Sequence, residues 1–390
     1  MGRGVAGSVG VVSHFDVPLD ELRTRTSAKW RQYPDDVLPL WVAEMDVEVC
    51  EPVVRAVAEA VRRGDTGYPY GPRYQEAFAA FAERRWGWAA DPAGMRLVPD
   101  IMQGVVEAVA LLTDPGDVVV VSPPVYPPFW AYVTHAARRV LEAPLDEAGR
   151  LDPAALDDAF ARARAGGGRA VYLLCHPHNP TGTLHTPDEL RALRDVADRH
   201  GVRVVSDEVH APLTLDGTFV SATTVIPDAI ALHSASKAFH LAGLKAAVAV
   251  PGPAAVGDLE RLPALVASEV GHVPVLAHAA ALREGDAWLD ELLEDLRANR
   301  ALLGELLREW VPAARWVPGA ATYFAWLDLR GAFPSDDDPA RALLRTGRVA
   351  VNPGPTFGAP GRGHVRLNLA ASQEVLADAV DRIAASVPAS

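Results

Sequence analysis

Residues 231–245 read ALHSASKAFHLAGLK, and this stretch holds Lys237 and Lys245, two of only three lysines in a chain with 34 arginines. Coding preference accounts for the surplus of Arg, because surface Arg and Lys behave alike in water. Where Lys stands against that bias, its amine offers what a guanidinium cannot: it can lose its proton and act as a nucleophile. The run before Lys237, AIALHSAS, is apolar and ends in small polar residues, which reads as a buried strand leading into a loop. DVVVVSPP, RAVYLLCHP, VRVVSDE and KAAVAVP have the same form. They alternate with helical patterns such as TPDELRALRDVADRHG, where Thr186 can cap, Pro187 suits the first turn and Gly201 stands at the stop.

Strands alternating with helices predict an α/β fold around a mostly parallel, seven-stranded sheet flanked by helices. After Gly285 the pattern changes to one long helical run, DAWLDELLEDLRANRALLGELLREWV, then a strand in TYFAWLDLRG and a closing helix from Ser372. This predicts a smaller α+β domain. The expected division is a large domain over residues 51–285 and a small one made of 1–50 with 286–390.

With 390 residues, 49% of them hydrophobic, the chain can bury a large core. A formal charge of −13 and the lack of a basic run argue against nucleic acid as a partner. No run of about 18 apolar residues predicts a membrane span. Cys50 and Cys175 are too few for a disulfide framework, and MGRGVAGSVG lacks the apolar centre of a signal peptide, so the expected location is the cytoplasm. The two imidazoles of HPH, His176 and His178, do not predict a metal site, since no third and fourth ligand follow at suitable spacing.

In open α/β sheets, ligands gather at the carboxyl ends of the strands. Tyr126, Asn179, Asp207 and Lys237 each follow or end a different expected strand. An aromatic ring, an amide, a carboxylate and an amine at one edge are the groups that pyridoxal phosphate uses.

SASKAFHLAGLK, HPHNPTG and SDEVHAPL, in this order and spacing, resemble the fold type I pyridoxal phosphate enzymes of the class I/II aminotransferase group. TSAKWRQYPDDVLPLWVAEMD followed by GDTGYPYG resembles, more narrowly, the MalY/PatB branch of cystathionine β-lyases. The resemblance implies that Lys237 forms the Schiff base, Asp207 pairs with the ring nitrogen, Asn179 meets the phenolic oxygen and Tyr126 stacks on the ring. His210 falls where many relatives have a tyrosine, and it either tunes the ring or packs. The phosphate is expected on the backbone amides of Gly104 and Val105, with Ser234, Ser236 and Lys245 completing the cradle. Arg366, with Asn179 and Ala43, is expected to hold the substrate, Arg366 by clamping its carboxylate with a two-pronged guanidinium.

Tyr68 is expected to reach the phosphate of a neighbouring subunit, making a homodimer the working unit, although Tyr70 and Tyr74 stand near enough to serve instead. Glu44, His176, His185 and His240 depart from the residues usual in relatives and are expected to alter the substrate side. The activity implied is carbon–sulfur β-elimination from an S-substituted L-cysteine, with transamination of an L-amino acid as the alternative. A regulatory or binding protein on the same fold is a third reading, disfavoured because Lys237, Asp207 and Arg366 are all present.

Overall fold

The computed structural model describes residues 13–388. The signal-peptide reading rests on residues outside that range, as do the first 12 and last two residues of the expected small domain. A short strand, β1 (Leu38–Pro39), precedes the seven strands of the large sheet. These are β2 (Arg96–Val98), β3 (Val118–Val121), β4 (Arg139–Glu142), β5 (Ala170–Cys175), β6 (Arg203–Asp207), β7 (Ile230–His233) and β8 (Ala247–Pro251).

Their order is β2-β8-β7-β6-β5-β3-β4, and β8 alone runs antiparallel to both neighbours. The central strands β3, β5 and β7 are buried along their whole length and β6 along all but Arg203, so their middles read as apolar runs rather than alternating ones. Both faces are covered. The helices Ile101–Leu112 and Pro128–His135 pack one face, and Pro153–Arg164 and Pro187–His200 pack the other. Thr186 and Glu189 form a reciprocal cap on the last of these helices, and Gly201 ends it in the left-handed conformation at φ 62°.

The 25-residue helix Asp286–Trp310 then leads to a second sheet. That sheet is antiparallel, β9 (Phe324–Asp328), β11 (Asn352–Pro353) and β12 (His364–Asn368), in the order β11-β12-β9. Between them β10 (Val349–Ala350) pairs in parallel with β1, which stitches the N-terminal segment to this later part of the chain. Ser372 caps the closing helix Gln373–Ser386. Among the described residues no helix is long and apolar enough to cross a membrane. Cys50 and Cys175 are both free and buried.

Candidate active site

A cavity of about 220 Å³ opens at the carboxyl ends of β3, β5, β6 and β7. Tyr126, Asn179, Asp207 and Lys237 all line it. Asp207 is the last residue of β6, and its Oδ1 accepts the Val209 N–H at 3.1 Å. Burial raises its pKa to about 7, against the lowering effect of that bond and of Lys237. The Lys237 amine is lowered to about 8, first by burial and then by the positive Arg366, with Asp207 pulling the other way. The site therefore lets the amine go neutral far more readily than an exposed lysine. Tyr126 packs edge-on to Phe129 at 5.9 Å between ring centres, and burial pushes its phenol up to about 12.

The phosphate cradle needs a correction. Asp100 caps the helix Ile101–Leu112, and its Oδ1 accepts the Gln103 N–H at 2.8 Å. Gly104 N–H already donates to Asp100 O at 2.9 Å, and Val105 stands one position deeper in the helix, so neither amide is free for a phosphate. The free amides of the first turn belong to Ile101 and Met102, which line the cavity with Asp100. Gly104 is glycine for packing: a Cβ there would stand 2.8 Å from Leu232 on β7. Ser234, Ser236 and Lys245 do line the cavity. Ser234 Oγ donates to Ala246 O at 2.8 Å and accepts the Ser236 N–H at 3.1 Å, while Lys245 Nζ sits 2.7 Å from Asp100 Oδ2.

Arg366, on β12, enters from the second sheet. It is 3% exposed, lies 4.0 Å over the Phe324 ring, and donates to Asn179 Oδ1 and to Trp41 O, both at 3.0 Å. Among the described residues no carboxylate pairs with it, and its Nε has no partner. Burial lowers its pKa to about 10. A buried guanidinium without a counter-ion is poised for an anion.

The wall facing the strand ends is the segment Trp41–Asp46, whose Ala43 lines the cavity. Side chains hold its carbonyls one after another. Arg366 takes that of Trp41, Asn368 those of Val42 (2.8 Å) and Glu44 (2.6 Å), and the Tyr323 hydroxyl that of Ala43 (3.1 Å). Lys29 Nζ adds a bond to Glu44 O at 3.2 Å and pairs with Asp46 Oδ1 at 2.6 Å, with both side chains almost fully buried. Lys29, Tyr323 and Asn368 escaped the sequence reading. The scarcity of lysine that singled out Lys237 points equally to Lys29.

His210 is 3% exposed and lines the cavity; it packs edge-on against Tyr323 and Phe324, and burial holds its imidazole well below the usual range. The other histidines differ from expectation. His176 stacks on Phe219 at 5.1 Å and meets Val220 O at 3.0 Å, and His185 packs beside it. His240 Nδ1 accepts the Met45 N–H at 3.2 Å. None of the three lines the cavity; His176 follows a strand whose alternation turns it away from that edge. Tyr68 and Tyr70 are exposed at 86% and 96%, away from this cavity. Tyr74 is fully buried with its hydroxyl 3.0 Å from His278 Nδ1, which removes it as the alternative. Among the described residues no group of three or more His, Cys, Asp or Glu side chains could hold a metal ion.

These residues fit pyridoxal phosphate: an amine of lowered pKa, a buried acid, an aromatic face, and two free amides beside hydroxyls and a lysine. Related proteins point the same way. The chain is similar to a Mycobacterium leprae protein provisionally named a cystathionine beta-lyase, 50% identical over 94% of this chain and 96% of the other. It is also similar to the cystathionine beta-lyase of Corynebacterium glutamicum, 34% identical over 94% and 98% of the two chains. A Corynebacterium diphtheriae crystal structure, provisionally described as a PLP-dependent beta-cystathionase, superposes with a TM-score of 0.88 at 33% identity, covering 95% of this chain and 98% of that one. Residues 35–383 match the family model described as aminotransferase class I and II, and the chain belongs to that family.

Proposed function

We propose that this protein is a pyridoxal 5′-phosphate-dependent carbon–sulfur β-lyase that converts an S-substituted L-cysteine and water into pyruvate, ammonia and a thiol. The observation that carries the reading is that Lys237 and Asp207 line one cavity while the buried Arg366, with no carboxylate partner, is bonded to Asn179 of its wall. The relatives at 50% and 34% identity, named as cystathionine beta-lyases, favour the lyase branch.

The cofactor, when bound, supplies an electron sink for charge developing on the substrate α-carbon. Lys237 would hold it through its amine, and that amine, when free, is placed to take the substrate α-proton. Asp207 keeps the ring nitrogen protonated, and Tyr126 covers the ring. Asn179 donates to the phenolic oxygen through its side-chain amide, since its Oδ1 already accepts from Arg366. Arg366 clamps the α-carboxylate, and the Ala43 segment closes the opposite side against water. The Ile101 and Met102 amides, Ser234, Ser236 and Lys245 would hold the phosphate, and His210 packs on Tyr323 and Phe324 at the cavity wall. Breaking the Cβ–S bond releases a thiolate that takes up a proton.

In this reading residues 51–285 carry the cofactor, while 1–50 and 286–390 carry the substrate side. The working unit is a cytoplasmic homodimer, with Tyr68 reaching the partner's cavity. Transamination is the second reading, favoured by the family description itself. The experiment that separates them incubates the holoenzyme with L-cystathionine, L-cystine and cysteine S-conjugates in the absence of any keto acid. Many turnovers of pyruvate and thiol are expected. Product that accumulates only when a keto acid is added would overturn the lyase reading.

A further inference from the structure

Two acids and two lysines line the cavity. The proposed mechanism uses Asp207 and Lys237. The other two, Asp100 and Lys245, are joined to each other: Lys245 Nζ lies 2.7 Å from Asp100 Oδ2. Lys245 has a place in the phosphate cradle, but nothing in the mechanism asks for a carboxylate there.

Helix capping does not explain that carboxylate. Asp100 Oδ1 accepts the Gln103 N–H at 2.8 Å and so leaves the Ile101 and Met102 amides free at the cavity. Asn or Ser at this position would cap about as well without bringing a negative charge. The second oxygen, Oδ2, takes no part in the cap and receives the Lys245 ammonium instead. That hydrogen bond, with the attraction of the two charges, raises the Lys245 pKa and keeps the amine protonated.

The charges at this end therefore cancel. With Lys237 committed to the cofactor aldehyde, Lys245 is the one other lysine or arginine among the described residues that line the cavity, and Asp100 offsets it. A phosphate monoester carries about −1.5 to −2 charge at pH 7. Any net charge left on the pair acts on it directly, through an energy that falls with distance and with added salt.

We propose that Asp100 sets the charge of the phosphate end: it holds that end at zero net charge, so the free amides and the hydroxyls carry the binding. The cofactor is then held less tightly than Lys245 without Asp100 would hold it. The proposal rests on the reading of this cavity as a pyridoxal phosphate site. Its consequence is that affinity follows the summed charge of two residues rather than the presence of either one.

The test measures the dissociation constants of pyridoxal 5′-phosphate and of pyridoxal, which has the same ring and aldehyde but no phosphate, on the cofactor-free full chain at neutral pH. The parent is compared with Asp100→Asn, Lys245→Met and the double variant. Asp100→Asn keeps the cap and leaves a positive charge, and it is expected to bind the phosphorylated cofactor about three- to tenfold more tightly, a gain that shrinks as salt is added. Lys245→Met leaves a negative charge and is expected to bind about three- to tenfold more weakly. The double variant, neutral again, should return to within about twofold of the parent. Pyridoxal should bind all four chains alike. Should Asp100→Asn fail to fold, Asp100→Ser, which also caps without a charge, is read in the same way.

Three results overturn the inference: an Asp100→Asn chain that binds no more tightly than the parent, a double variant as weak as Lys245→Met, or the same changes seen with pyridoxal. If the unaltered chain binds no pyridoxal phosphate at all, it is the functional reading that fails.

Discussion

The two walls of the cavity are built in opposite ways. On the floor, Tyr126, Asn179, Asp207 and Lys237 sit at or within five residues of a strand end, so a rigid buried sheet aims each of them. The facing wall, Trp41–Asp46, holds none of the long elements. Its carbonyls are gripped by side chains 280 to 326 positions away, with Lys29 the one nearby donor. The floor brings together the groups proposed for the chemistry and takes its geometry from local sequence. The wall shapes the space for substrate and exists only once distant parts of the chain have met. Damage to the two should accordingly separate: floor variants should change how the cofactor is held or used, and wall variants should change substrate affinity with the cofactor undisturbed.

The largest effect is expected from Lys237→Ala, which removes the attachment amine. Borohydride should no longer fix cofactor to the chain, and turnover should fall to background. Asp207→Asn keeps size but not charge, and kcat should drop roughly 10²–10⁴-fold while thermal unfolding shows a folded protein. Near-normal turnover in that variant would assign the ring nitrogen to another group.

Lys29→Met probes the wall. It leaves Asp46 buried without its partner, and chemical denaturation should show a loss of about 3–5 kcal/mol. In the folded fraction KM should rise while the visible spectrum of the bound cofactor stays unchanged; a spectrum that shifts with KM would erase the distinction between the walls.

A smaller effect tests the floor by pH. The Lys237 amine must be neutral to attack the cofactor aldehyde, and its pKa lies at about 8. Capture of cofactor by the cofactor-free chain should therefore slow about tenfold per pH unit below that value and level off above it. Protonation of Asp207 below about 7 removes a charge that helps hold the amine's proton, so it softens the slope there. Absorbance mixing experiments read the profile, and a flat one would mean that the amine is already neutral by other means. The smallest effect is that of Tyr323→Phe, which deletes one bond to Ala43 O and should cost about 0.5–1.5 kcal/mol, read as a several-fold rise in KM at near-constant kcat.

Legibility in the sequence followed the same line as the walls. The central strands are plain because each is a short, largely apolar run closed by polar residues. The edge strands β2 and β4 are not: one has three residues, and the other is only partly buried. Gly104 answers to packing against Leu232, and the cap at Asp100, which no glycine signals, sets which N–H groups stay free. His176 and His185 pack away from the cavity and His240 touches its wall only through Met45, because sequence distance from a motif says nothing about which face a side chain takes.

The sequence by itself determined the alternating fold, the family, and the four strand-end groups that line one cavity, because those depend on patterns a few residues long. Tertiary structure alone decided which first-turn amides stay free at the cavity, that Arg366 is buried without a counter-ion, that Lys29 and Asp46 anchor a wall, and that His233 lies against Glu208. Each of those depends on contacts between segments far apart in the chain, and hydrophobic burial, which is proportional to area and carries no direction, leaves no local signature of which distant partners will meet.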